Sequence, residues 1–238
     1  MNLVRFISDY IRFRRMALNK PRLRDLYPAS GKVRIDRHYM YQDCWAIHKI
    51  AGELLANPLK VVHHDFGSRV DGFVGQLAAT GIYVWHHDIK PPHRLPLCCS
   101  FFPADITNLH DYFHIGGLCL SVSCLHVLEH IGLGRYGDTL DPGGHLKAIG
   151  ELKRIMAPGG NLYVSVPVGV ERTCFNAHRI FDAGRFGMLF TGDGQFEVVE
   201  FSGIDDCGDF HCNIQAETFG IGAEYSLGMW HLRRTSCV

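Results

Sequence analysis

Leu120-Ser-Val-Ser-Cys-Leu-His-Val-Leu-Glu-His-Ile131 runs from an apolar stretch into a segment bearing two histidines and a glutamate, and Ala157-Pro-Gly-Gly160 with a second apolar run follows it. The pattern predicts a strand over 118–122, a helix start carrying His126, Glu129 and His130, and a helix over 145–156. In that helix Leu146, Ile149, Leu152, Ile155 and Met156 recur at helical spacing, and Pro158-Gly159-Gly160 ends it. A further strand is expected over 162–166. Strand, helix, turn and strand make one βαβ unit.

Working outward, the same alternation continues on both sides. Lys60-Val-Val-His-His-Asp-Phe66 reads as a strand, residues 67–72 as a turn and 73–80 as a helix closed by Gly81. A second strand covers 82–88, stopped by Pro91-Pro92, and a third covers 97–104. Late strands fall at 196–201 and 223–232, with no clear helix between them. Strands alternating with helices predict an α/β fold, a Rossmann-like doubly wound sheet of about seven strands with right-handed crossovers. The sheet is expected to be mostly parallel, with an antiparallel C-terminal strand. Residues 59–238 form this domain. Residues 1–58 are read as a helical, basic extension packing on it, with a helix over 41–56 stopped at Asn57-Pro58.

Composition narrows the class. The chain has 238 residues, 47% hydrophobic and 20% charged, which is ordinary for a soluble globular protein with a sizeable core. Lys plus Arg and Asp plus Glu are both 24, so net charge gives no reason to expect a nucleic-acid partner. The balance is uneven: residues 1–40 hold ten Lys and Arg against three Asp. There Phe6, Ile7, Tyr10, Ile11 and Phe13 recur near helical spacing among Arg5, Arg12, Arg14 and Arg15. A helix capping the core fits, and so does a peripheral membrane contact. Nine irregularly spaced cysteines and no run near the ~18 apolar residues needed to span a bilayer predict a cytoplasmic location. Cys98, Cys99, Cys119 and Cys124 read as small core residues. Cys207, His211 and Cys212 have no second Cys/His pair at zinc spacing, so no metal site is assigned.

In open α/β sheets a ligand sits beyond the carboxyl ends of the strands, so the residues just after each apolar run matter most. Here they are acidic: Asp65 with Gly67 after strand one, Asp88 ending strand two, Asp105 after strand three. A carboxylate ending strand two can accept two ribose hydroxyls, and a glycine after strand one lets the backbone approach a ligand closely.

With these residues in this order the chain resembles the class I S-adenosylmethionine-dependent methyltransferases. Asp65-Phe-Gly67 stands where they carry Asp/Glu-x-Gly, Asp88 where they carry the ribose-binding acid, and Asp105-Ile106 where they contact adenine. Leu128-Glu-His130 and Leu152-Lys-Arg-Ile-Met-Ala-Pro-Gly-Gly160 match their Leu-Glu-His and Leu-Lys-Pro-Gly-Gly. Asp65-Phe-Gly-Ser-Arg-Val-Asp-Gly-Phe73, Leu125-His-Val-Leu-Glu-His-Ile-Gly-Leu-Gly-Arg-Tyr-Gly-Asp138 and Cys174-Phe-Asn-Ala-His-Arg179 look like a domain-of-unknown-function family grouped with that superfamily. The resemblance covers about residues 38–205 and brings no settled reaction. It implies S-adenosylmethionine as cofactor, with Asp65, Gly67, Ser68, Arg69, Asp88, Ile89, Asp105 and Ile106 around it. One departure stands out: Arg69 and Asp71 occupy the second and third glycine positions of the usual loop, and Gly72 falls one place late.

For the chemistry, His126 and His130 suit a base near neutral pH, with Glu129 between them. Arg135, Tyr136, Asp138, His178 and Arg179 lie on loops expected to overhang the pocket and suit a polyhydroxylated or anionic substrate. The expected function is methyl transfer to a hydroxyl of a sugar or glycan intermediate, in polysaccharide biosynthesis. Two alternatives stay open. A non-catalytic Rossmann-like binding domain is one. The other is a zinc peptidase, because His126-Val-Leu-Glu-His130 has His-x-x-Glu-His spacing, with Glu151 as a third ligand.

Overall fold

The computed structural model describes residues 36–56, 62–114 and 116–236, together with Val4, Ile7, Ser8, Ile11 and Arg15, which are helical and exposed. The rest of the basic N-terminal segment, Phe6, Tyr10 and Phe13 included, lies outside the described residues. So does any membrane contact read from it. No helix among the described residues is long and apolar enough to cross a membrane.

Residues 37–238 form one compact unit. Its elements in chain order are α1 (Arg37–Leu55), β1 (His63–Phe66), a π-type turn (Val70–Val74) leading into α2 (Gly75–Ala79), β2 (Val84–Asp88), β3 (Cys99–Pro103), β4 (Cys119–Leu125), α3 (Gly144–Ile155), β5 (Met156–Val168), β6 (Arg172–Cys174), β7 (His178–Ile180), α4 (Ala183–Thr191), β8 (Phe196–Ile204), β9 (Phe210–His211) and β10 (Ser226–Arg234). The main sheet has eight strands in the order β3-β2-β1-β4-β5-β10-β8-β9, one more than expected, and β6 and β7 pair separately. Strands β1 to β5 pair in parallel, while β10 is antiparallel to both β5 and β8. The Rossmann-like architecture read from the sequence is therefore present, and the antiparallel strand sits between β5 and β8.

Helices cover both faces, as a parallel sheet requires. On one face Trp45, Ala46 and Ile50 of α1 pack with Leu77 and Ala78 of α2 against Val84, Leu125 and Met229. On the other, Ile149 and Leu152 of α3 and Phe186 and Phe190 of α4 pack against Val122, Val164 and Trp230. Helix α4 is short and holds two glycines, weak helix formers. Asp182 caps it by accepting from Arg185 N (2.8 Å), and a Cβ at Gly187 would stand 3.2 Å from Trp230 Nε1, so the glycine lets the helix lie close on the sheet.

Two expectations need correction. The segment after β4 is not a helix start: residues 126–143 contain only turns, and the helix begins at Gly144. His126 has a left-handed backbone (φ +57°), incompatible with a helical turn, so the face a zinc peptidase would use is not formed. And β5 begins directly at Met156, taking Ala157-Pro-Gly-Gly160 into the strand through an irregularity in its pairing with β4. A chain lacking residues 1–30 is expected to keep a single cooperative thermal transition, since the alternating elements start well beyond that point. Calorimetry and solubility of the shortened protein test this, and an insoluble product would mean the segment covers an apolar face.

Candidate active site

The chain runs outward through β1, β2 and β3 on one side of the sheet, then through β4 and β5 on the other, so the order reverses between β1 and β4. At such a switch point the loops diverge and leave a crevice at the carboxyl ends. A cleft of about 510 Å³ lies there, the size range of small-molecule sites. Its walls come from the ends of β1 (Gly67, Arg69), β2 (Asp88, Ile89) and β3 (Asp105, Ile106), and from the loop after β4, including His126, His130, Tyr136 and Asp138.

The glycine after β1 is required where it stands. Gly67 has φ +73°, donates its N–H to His87 O (2.9 Å), and a Cβ there would meet Val127 Cγ1 at 3.0 Å. The late Gly72 has a different reason: a Cβ would come within 3.0 Å of Asp43 Oδ2, so it admits a carboxylate from α1. Burial pushes the Asp43 carboxyl up to about 6, against the opposing pull of Gln42, Arg69 and His126. Asp88 at the end of β2 accepts from Lys90 N (3.0 Å). Asp105 after β3 accepts from the N–H (2.8 Å) and hydroxyl (2.7 Å) of Thr107, an Asx-type turn.

Several residues expected to touch a ligand instead lie behind the wall. Asp65 is fully buried: it accepts from His86 Nδ1 (2.8 Å), Ser123 Oγ (2.6 Å) and Ser68 N (3.2 Å). Burial alone would raise its carboxyl, but the His86 bond and charge, with Ser123 and Ser68, hold it below the usual range. Ser68 Oγ accepts from Leu125 N (3.2 Å), tying the β1 and β4 ends together. Arg179, expected at a substrate, is buried, and its guanidinium donates to the carbonyls of Glu129 (3.4 Å), Ile131 (2.7 Å) and Pro142 (3.2 Å), fixing the loop after β4. Arg135 donates to Asn176 O (2.9 Å), and His178 lies edge-on to Tyr225 (5.1 Å), both away from the cleft lining. Asp138 lines the cleft while accepting from Gly132 N (2.7 Å), Gly134 N (3.3 Å) and Tyr136 N (3.2 Å). Burial would raise that carboxyl, and these backbone bonds hold it low.

The sharpest chemistry is at His126. Its Nδ1 stands 2.6 Å from Oε1 of the fully buried Glu129, so Nδ1 carries the proton and Nε2 is the acceptor nitrogen. Nε2 and Glu129 Oε2 are buried with no hydrogen-bond partner among the described residues. Such orphaned atoms and a left-handed histidine are costly and concentrate at functional sites. His126 N donates to Ser165 Oγ (3.0 Å), which donates to Gln42 Oε1 (2.5 Å) on α1, and Tyr39 of α1 faces the ring at 5.1 Å. Nothing in the sequence pattern of α1 marked Tyr39 or Gln42 as site residues. His130 donates from Nδ1 to Ala177 O (2.5 Å), and its Nε2 lies 3.6 Å from Glu129 Oε1.

This sheet order, with antiparallel β10 inserted between β5 and β8, is the fold of the class I S-adenosylmethionine-dependent methyltransferases. A methyltransferase of Burkholderia thailandensis that acts on N1 of 1,6-didemethyltoxoflavin, solved with that compound and S-adenosylhomocysteine, superposes with TM-score 0.51 at 14% identity, covering 88% of this chain and 94% of its own. Magnesium protoporphyrin IX methyltransferase of Synechocystis with bound S-adenosylhomocysteine superposes with TM-score 0.51 at 15% identity, covering 96% and 95%. The 4+2 cyclase SpnF shares the fold as well, with TM-score 0.55 at 14% identity and 82% of each chain covered. Residues 97–215, half of the chain, match the family described as Caenorhabditis protein of unknown function, DUF268, and the chain belongs to it. No curated protein is significantly similar to it in sequence.

Proposed function

We propose that this protein transfers a methyl group from S-adenosylmethionine to a hydroxyl of a sugar or glycan intermediate, with His126 as the base. The observation that carries the reading is the buried, unpartnered Nε2 of His126 held by Glu129 in the wall of the switch-point cleft. The cleft also fits the donor. It has the volume, Gly67 lines it at the end of β1, and Asp88 offers a carboxylate beside it for two ribose hydroxyls. Ala104 and Ile106 supply an apolar wall beyond Asp88 for a base.

When bound, the sulfonium supplies an electrophilic methyl group. The chain's own part is to hold the acceptor oxygen in line with it, exclude water, and remove one proton. His126 Nε2 takes that proton, and the Glu129 carboxylate at Nδ1 stabilises the imidazolium that results. Tyr136 and Thr139 on the cleft wall offer hydroxyls for a polyhydroxylated acceptor, which supports the sugar assignment. A second reading, binding without methyl transfer, is favoured by the side chains of Arg69 and Asp71 at the glycine positions of the loop after β1.

Replacing Asp88 by Ala is expected to weaken S-adenosylhomocysteine by about 1.5–3 kcal/mol, the worth of hydrogen bonds to a charged group. Titration calorimetry on parent and variant measures it. Equal affinities would remove Asp88 from the site.

A further inference from the structure

We infer that Arg69 is the receptor for the free carboxylate at the amino-acid end of the donor, so that the cleft selects nucleoside ligands carrying that group. The inference rests on the donor reading above. It starts from the departure in the loop after β1, where a side chain stands at a position usually left to glycine. That side chain is a cation in the cleft wall.

Three cationic side chains of Lys or Arg line the cleft: Arg69, Lys90 and Lys147. Lys147 is paired with Asp141 at 2.6 Å, on the loop after β4. Lys90 follows Asp88, and its Nζ would lie 3.9 Å from a Cβ at Gly137 on the loop after β4; its single ammonium has no bidentate face for a carboxylate. Arg69 is two residues beyond Gly67, which itself sits beside the end of β2. A ligand with its ribose at Asp88 and its base against Ala104 and Ile106 extends past Gly67 toward Arg69, Tyr39 and His126. The group at that end of the donor is an α-amino acid.

The guanidinium is also held ready. Its Nε and Nη2 donate to the two oxygens of Asp71, both at 3.1 Å, and its plane lies over the Tyr39 ring at 4.7 Å. Those two bonds use one edge of the fork and two of its five N–H donors. The Nη1/Nη2 edge is a second bidentate face matched to a carboxylate. Asp88 and Asp105 make the ribose and base end of the cleft negative, which disfavours a carboxylate there.

The test is calorimetric titration of the full chain with S-adenosylmethionine and with decarboxylated S-adenosylmethionine, which differ only in that carboxylate. Arg69→Gln is expected to weaken S-adenosylmethionine about 10- to 100-fold and to leave the decarboxylated ligand unchanged or tighter. Its melting midpoint should match the parent's, because the side chain is exposed. Equal loss for both ligands, or no loss for either, overturns the assignment of Arg69 while leaving the donor site in place. Binding of neither ligand by the parent overturns the donor reading and this inference together.

Discussion

His126→Gln is expected to lower methyl turnover by about 10²–10⁴-fold, the usual contribution of a positioned general base, while S-adenosylhomocysteine affinity stays close to the parent's. The substitution keeps a planar side chain but removes the imidazole lone pair at Nε2. Glu129→Gln should fall in the same direction, because it removes the charge that stabilises His126 when it carries the proton. The assay is donor consumption against a panel of sugar nucleotides and glycan intermediates, with dissociation constants measured in parallel. Full turnover in His126→Gln would leave proximity as the mechanism and take the dyad out of it. A parallel loss of ligand affinity would mean the variant has disturbed the loop after β4 and not the chemistry.

His86→Leu is expected to destabilise the fold by about 3–5 kcal/mol, because it leaves Asp65 buried as an unpaired charge. For a domain this size that is roughly a 6–20 °C fall in melting midpoint. The pH dependence has a definite sign on each side. Asp65 is held below the usual carboxylate range, so its contribution is present above that range and lost as pH falls through the lowered value. For His86 burial pulls down, and the Asp65 bond and charge with the Asp88 charge together outweigh it, so the value is raised. Its contribution is complete below about 6.5 and lost as pH rises through the raised value. The pair therefore adds most between those limits, and Asp65→Asn combined with His86→Leu should be less damaging than His86→Leu alone. Thermal melts across pH on all three proteins measure this. A His86→Leu melt equal to the parent's would show that Ser123 and Ser68 suffice for Asp65.

Much of the cleft was legible from sequence because topology fixes it: a residue just past a parallel strand lies at the carboxyl edge of the sheet, whatever the strand's exact bounds. Gly67, Asp88, Asp105 and His126 were placed that way. What sequence does not carry is which side of a loop a residue faces. Arg179 looks like an anion binder in one dimension, yet it sits inward on three carbonyls. His126-Val-Leu-Glu-His130 has helical spacing, but the buried contact between His126 and Glu129, with Arg179 holding the loop, overrides that local preference. Helix α4 was missed because its glycines dilute the pattern, although Asp182 as a cap and Phe186 with Phe190 four residues apart were a usable signal. Tyr39, Gln42 and Asp43 lie far in sequence from the strands they serve and became site residues only once α1 was placed against the sheet.

A crystal structure of the full chain grown with S-adenosylhomocysteine tests the central claim most directly. The account predicts the ligand across the ends of β1 and β2, with its ribose hydroxyls on Asp88, its base against Ile106, and its sulfur facing the part of the cleft that holds His126. Ligand bound elsewhere, or a cleft still empty at saturating concentration, would contradict it.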